Sequence, residues 1–197
     1  MTVRDSLVQV IERFGDPALL RQLEPRVGVD LTLHEEIALE FEQVTAPLEE
    51  VVEWVLEHVK VRPGLPELAE RSPLVVSAGF RELIEPVLER EGVRLEVLAN
   101  SAEPRRAGWR VRFRDEASCA SCGEPCKRGG LAGEPYVYVG DGYSDRCAAL
   151  TAARVFARDG LARYLGEQGV GYTPFEDLSA VAAALDAQEL DEIVHRR

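Results

Sequence analysis

From Ser72 onward, short apolar runs alternate with longer runs that repeat at helical spacing, and this alternation narrows the fold more than any other feature of the chain. "PLVVSAG", "VRLEVLAN", "YVYVGD" and "RVFARD" have the length and the β-branched and aromatic content of strands, and "GWRVRF" alternates as a strand does. "FRELIEPVLEREG", which stops at Gly92, "GLARYLGEQG" and "FEDLSAVAAALDAQ" read as helices. Strands interleaved with helices imply a mostly parallel sheet covered on both faces. Ligands of such sheets bind beyond the carboxyl ends of the strands. Ser77, Asp141 and Asp145 all fall there.

The first sixty residues have a different texture and read as helices throughout. Val3, Leu7, Val10, Ile11 and Phe14 recur at helical spacing up to Gly15. In "TLHEEIALEFEQV", Thr32 followed three residues later by Glu35 predicts a capping box. A further helix is expected from about Ala46 to Val59, with Thr45 as N-cap and Pro47 in its first turn. "VRPGLPELAER" reads as a hinge and a short helix, so residues 1–62 form one unit and residues 63–197 another.

At 197 residues, 46% hydrophobic and 29% charged, the chain can build a proper core. A net charge of -12 argues against nucleic acid and anionic membranes as partners, though not against a small anion at a locally positive site. No apolar run approaches the roughly 18–20 residues that span a bilayer. Arg4 and Asp5 interrupt the place where a signal peptide would build its apolar stretch. The expected location is cytoplasmic, where Cys119, Cys122, Cys126 and Cys147 stay reduced.

Three polar signals share the strand-end rim. Ser77 precedes Ala78 and Gly79 at the start of a helix, where a hydroxyl and free backbone N–H groups can cradle a phosphate. Lys127, in "CGEPCKRGG", is the only lysine after Lys60. Asp141 and Asp145 bracket the turn "GDGYSD" and are hard oxygen donors suited to Mg²⁺. Each has a plainer reading when taken alone. Gly-Asp-Gly forms ordinary turns, a serine at that place caps a helix, and a lone lysine is a solvated charge.

In this order, the three signals resemble motifs two, three and four of the haloacid dehalogenase superfamily of phosphatases. "VVSAGFRELIEPVL" and "VFARDGLARYLGEQGVGYTPFEDL" look like its phosphoserine phosphatase branch, and the cysteine loop before the lysine is closer to its methionine-salvage phosphatases. The resemblance implies a Rossmann-like core over 63–197 with a helical cap over 1–62. It also implies a Mg²⁺-dependent phosphatase acting on a small phosphorylated metabolite through a phosphoaspartate. Asp141 would then ligate Mg²⁺, with Asp145 in its outer shell holding a metal-bound water or Lys127. Ser77, Ala78 and Gly79 would hold the phosphoryl oxygens, and Lys127 would offset their charge.

The superfamily's Asp-x-Asp-Gly-Thr motif, which carries its nucleophile, is not found in the 197 residues. "MTVRDSLVQV" resembles what directly follows that motif, so the nucleophilic strand is expected upstream of Met1, between the strands of "PLVVS" and "YVYVG". The other expectation is a true truncation and an inactive chain. Asp5 falls in the first cap helix and does not replace the nucleophile.

Other readings stay open at this level. One is a protein that binds phosphate without turnover, and another is a zinc-binding interaction module built on the cysteine loop. Cys119, Cys122 and Cys126 have zinc-like spacing but only three ligands of the four a structural site needs, and no histidine is nearby. Cys147 joins them only if the turn after Asp141 folds back. A redox pair or plain loop thiols are the alternatives. His34, His58 and His195 read as surface or cap residues.

Overall fold

The computed structural model describes residues 1–131 and 135–195, with side chains through residue 187. Helices α1 (Ser6–Phe14), α2 (Pro17–Leu23), α3 (Leu33–Phe41) and α4 (Leu48–His58) make up the first part. Aspartates cap the first two: Asp5 accepts the amides of Leu7 and Val8, and Asp16 those of Ala18 and Leu19. Thr32 and Glu35 form the expected capping box on α3. Helix α4 departs from expectation, since its N-cap is Pro47 and it begins at Leu48. Proline disfavours helical backbone in the residue before it, so Ala46 stays outside and its carbonyl accepts the indole N–H of Trp109 at 2.8 Å.

The α/β part follows the sequence pattern. It runs α5 (Leu65–Ala69), β1 (Val75–Phe80), α6 (Arg81–Arg90), β2 (Val97–Glu103), β3 (Arg110–Arg112), β4 (Val137–Gly140), α7 (Arg146–Ala149), β5 (Arg154–Ala157), α8 (Asp159–Glu167), β6 (Thr173–Pro174) and α9 (Leu178–His195). The sheet, however, is in two halves. β1 pairs parallel with β2, and β2 antiparallel with the short β3. β4, β5 and β6 form a separate parallel set. Among the described residues no strand bridges β1 to β4.

Apolar packing holds the halves together. Leu65, Leu68, Ile84, Val97, Phe156 and Val181 form one buried cluster, with Val75 of β1, Val139 of β4 and Met1 packed against it. A second cluster joins the N-terminal helices to the sheet: Val10, Ile11, Phe41, Val51 and Val55 meet Phe80, Leu83 and Trp109, with the Phe41 and Phe80 rings edge to face at 4.5 Å. The stem between the two parts is a pairing of chain ends. Val3 donates its amide to Lys60 at 2.9 Å and Arg62 to Met1 at 3.1 Å, flanking a bridge between Thr2 and Val61.

Candidate functional site

The β1–β2 ladder slips where Ser77 stands. Val75 and Val76 face Val97 and Leu98, but the next paired residue is Phe80, opposite Asn100. Ser77, Ala78 and Gly79 therefore bulge out of the ladder, as strands often do beside functional sites. The Gly79 amide donates to Ser77 Oγ at 3.0 Å, which orients the hydroxyl. Asn100, 4% exposed, fixes the bulge from behind. Its Nδ2 donates to the Ala78 carbonyl at 2.8 Å, and its Oδ1 accepts the Arg114 amide at 3.0 Å.

At the end of β4, Asp145 is 4% exposed and fully occupied. Oδ1 accepts from Lys127 Nζ at 2.6 Å and from the Tyr138 hydroxyl at 2.8 Å. Oδ2 accepts the amides of Asp141 and Gly142, both at 2.9 Å. Burial pushes the Asp145 carboxyl up, but the Lys127 charge and hydrogen bond, with the two amides, outweigh it and hold the group below the usual carboxylate range. The turn is this tight only because residue 140 is glycine, where a Cβ would lie 2.7 Å from Asp145 Cγ.

Asp141 is in the opposite condition. It is half-buried, and burial raises its carboxyl, helped by Asp145 and opposed by the Met1 ammonium and Lys127. Among the described residues no hydrogen bond to its carboxylate adds to these charges. Asp141 thus offers an open, hard oxygen donor, while both oxygens of Asp145 are already taken. The donor set fits Mg²⁺ through Asp141 with water and phosphate oxygens completing the shell. Asp145 holds Lys127.

Ser77, Ala78 and Lys127 line a cavity of about 340 Å³, within the range of small-molecule sites. Asp141 lies outside its wall. The cavity also takes in residues that the sequence reading missed. His34, read as a surface or cap residue, lines it and stacks on Phe113 with ring centroids 3.9 Å apart; burial lowers its imidazole. Arg114 lines it too, bound to Asp115 through Nε at 2.6 Å, with Nη1 buried and unpartnered among the described residues. Asn100 had one visible signal, an amide inside the apolar run "VLAN", where asparagine is depleted. His195 lies beyond the residues whose side chains are described.

The N-terminal helices reach over this rim. Gly28, at φ 77°, sits so close to Tyr143 that a Cβ there would lie 2.5 Å from its hydroxyl. The cysteine loop closes one wall of the cavity through Cys122 and Cys126. Cys147, which the sequence left out of the group, folds back onto it from α7, with its Sγ 3.8 Å from that of Cys119.

Comparison with known proteins finds phosphatases. The chain is 25% identical over 199 residues to a 2-hydroxy-3-keto-5-methylthiopentenyl-1-phosphate phosphatase of Bacillus cereus, covering 94% of the chain and 91% of that protein. The corresponding enzyme of Bacillus thuringiensis is 23% identical over 208 residues with the same coverage. The fold matches a phosphoserine phosphatase from T. onnurineus with a TM-score of 0.57 and 19% identity, over 84% of this chain and 80% of that one. The chain is thus similar along most of its length to named phosphatases and shares the fold of phosphoserine phosphatases. A probable phosphoserine phosphatase from Vibrio cholerae, of which it covers 62%, gives a TM-score of 0.62 at 16% identity. No protein-family model matches the chain. The residues resembling the later haloacid dehalogenase motifs, scattered over 69 positions, converge on one rim: Ser77 and Lys127 on one cavity, Lys127 on Asp145, and Asp145 on the Asp141 amide.

Proposed function

We propose that the protein is a Mg²⁺-dependent phosphatase of small phosphomonoesters, of the general kind its Bacillus relatives hydrolyse. The observation that carries this reading is the Lys127–Asp145–Asp141 arrangement beside the Ser77 bulge. In this reading Asp141 holds the metal, which supplies charge stabilisation to the phosphoryl group when bound. Ser77 and the Ala78 amide orient the phosphoryl oxygens, while the Gly79 amide holds the Ser77 hydroxyl in place. Lys127, kept in place by Asp145, offsets their negative charge. The N-terminal helices, seated on Tyr143 through Gly28, act as a cap that excludes water from the rim.

In this reading the nucleophilic carboxylate would stand on a strand lying between β1 and β4. Two observations support that position: among the described residues β1 and β4 do not pair with each other, and Met1 packs in the cluster that spans both. A buried strand edge left without partners costs about 1–3 kcal/mol per orphaned group, so an inserted strand would stabilise the sheet as well as complete the site. The second reading is phosphate binding without turnover, favoured by the absence of an Asp-x-Asp-Gly-Thr motif from the 197 residues.

The test is phosphate release from aryl and small-metabolite phosphates by the protein purified from its own cell, with and without Mg²⁺. Metal-dependent hydrolysis lost in Asp141→Asn and strongly reduced in Ser77→Ala is expected. Hydrolysis indifferent to Asp141 would overturn the assignment. Metal-dependent phosphate binding with no turnover would favour the second reading.

A further inference from the structure

All four cysteines of the chain meet at one point, although they come from two separate segments. Cys119, Cys122 and Cys126 lie in the loop between β3 and Lys127, and Cys147 lies on α7. Their sulfurs all fall within 4.8 Å of one another, and none is bonded to another. Four thiolates placed tetrahedrally at about 2.3 Å from zinc stand roughly 3.8 Å apart, the separation found between Cys119 and Cys147. We propose that these four cysteines form a structural zinc site that clips the loop carrying Lys127 to the helix that follows the Asp141–Asp145 turn.

The loop itself argues for such a clip. Between Phe113 and Leu131 it contains no aliphatic or aromatic side chain larger than alanine, apart from Pro125. Apolar burial therefore contributes almost nothing to fixing it. Yet it must present Lys127 to Asp145 within 2.6 Å. Its backbone is wound for sulfur ligation: the Ser121 amide donates to Cys119 Sγ at 3.4 Å, and the Gly123 amide to the Cys119 carbonyl at 2.8 Å. Amides directed at a ligating sulfur are the outer support that such sites use. Arg146, adjacent to Cys147 in sequence, and Arg128 line the same cavity as Cys122, Cys126 and Cys147. An all-sulfur tetrahedral set selects zinc or iron over magnesium, so this site and the Asp141 site would not exchange metals. With all four positions filled by protein it has no room for substrate, which makes it structural rather than catalytic.

The proposal is independent of which phosphate ester, if any, the protein hydrolyses. It is tested by elemental analysis of the full chain, purified under reducing conditions and dialysed against EDTA. About one zinc per chain is expected, released by a mercurial thiol reagent and replaceable by Co²⁺ with the absorption of tetrahedral cobalt thiolate. Cys147→Ala should weaken zinc binding at least ~100-fold, while Cys147→His, which restores a fourth ligand, should retain it. Should Cys147→Ala fold poorly, hydrogen exchange of the unaltered protein serves instead: stripping zinc should raise exchange across residues 119–131 and leave the N-terminal helices unchanged. Four free thiols that neither carry nor take up zinc would overturn the proposal, as would two disulfides in freshly purified protein. Stoichiometric iron in place of zinc would overturn the choice of metal.

Discussion

Asp145→Asn tests the centre of the site, because asparagine keeps the shape of the side chain and changes only its hydrogen-bonding pattern. In the native turn Asp145 accepts four bonds and donates none. An asparagine amide can keep its oxygen toward the amides of Asp141 and Gly142, but its NH₂ must then face Lys127 and Tyr138. The Tyr138 hydroxyl can rotate to accept. The Lys127 ammonium cannot, and it is left donor against donor, with its side chain only 14% exposed. Breaking a buried pair by removing one charge costs about 3–5 kcal/mol, and the reoriented tyrosine recovers part of that. We expect a net loss of about 3 kcal/mol. For a chain of this length that lowers the thermal midpoint by roughly 6–12 °C. The pH dependence supplies a second arm. The folded carboxyl is held below its unfolded value, so its contribution is complete above about pH 4 and is lost as pH falls through the folded pKa. The asparagine variant should lack that acid-limb loss, so the two proteins should converge in stability toward pH 2. Calorimetry or urea titration from pH 2 to 7 measures both arms. A variant within 1 kcal/mol of the parent at pH 7, with the same acid slope, would refute the view that Asp145 anchors the lysine.

The other perturbations are simpler. Glu40 is 5% exposed with Oε1 unpartnered among the described residues, and burial together with Glu36 pushes its carboxyl up to about 8; the raised folded value means a penalty that is absent below about pH 4 and complete above pH 8. Glu40→Gln should therefore stabilise by about 1–2 kcal/mol at pH 9, allowing for the screening that water still provides, and by nothing near pH 4 in urea titrations. Trp109→Phe loses the indole bond to the Ala46 carbonyl and part of a fully buried ring, so a loss of about 1–3 kcal/mol is expected by chemical denaturation. Gly28→Ala places a methyl group against Tyr143 at a left-handed position. It should loosen the cap from the rim, seen as faster exchange of the amides around Tyr143, with a loss of global stability near 1 kcal/mol.

What the sequence disclosed is largely what local chemistry determines. Thr32 and Glu35 are three residues apart and cap their helix without help from elsewhere. The alternation after Ser72 holds because each strand is buried over a few residues that carry its own signal. What stayed hidden depends on partners distant in sequence. The slip at Ser77 exists only relative to the register of β2, so "VVSAG" cannot announce it. His34 reaches the cavity because Phe113, 79 residues later, lies under its ring. Asp145 is expected in the outer shell of the metal, holding a water or Lys127, and its four donors, Lys127 among them, come from residues that the turn brings together. Cys147 could not be counted with the loop cysteines until the turn between them had folded.

Lys127 is thereby held at two points of different kinds. Its ammonium is fixed electrostatically by Asp145, while its backbone follows directly on Cys126 in the sulfur cluster. A long, flexible lysine side chain loses up to about 2 kcal/mol of rotamer freedom when fixed, and a salt bridge that must also order a polar loop would offset little of the further backbone cost. If the cysteine cluster orders the loop first, the Asp145 contact needs only to restrain the side chain. The two anchors should then fail differently. Removing the Asp145 charge should free the ammonium and leave the loop amides protected. Dismantling the sulfur cluster should expose the loop amides and weaken the ion pair with them. Asp145→Asn combined with Cys147→Ala should therefore cost less than the sum of the two single changes, since the second removes much of what the first would lose. Strict additivity in that double-mutant cycle would mean that the loop orders Lys127 without help from its cysteines.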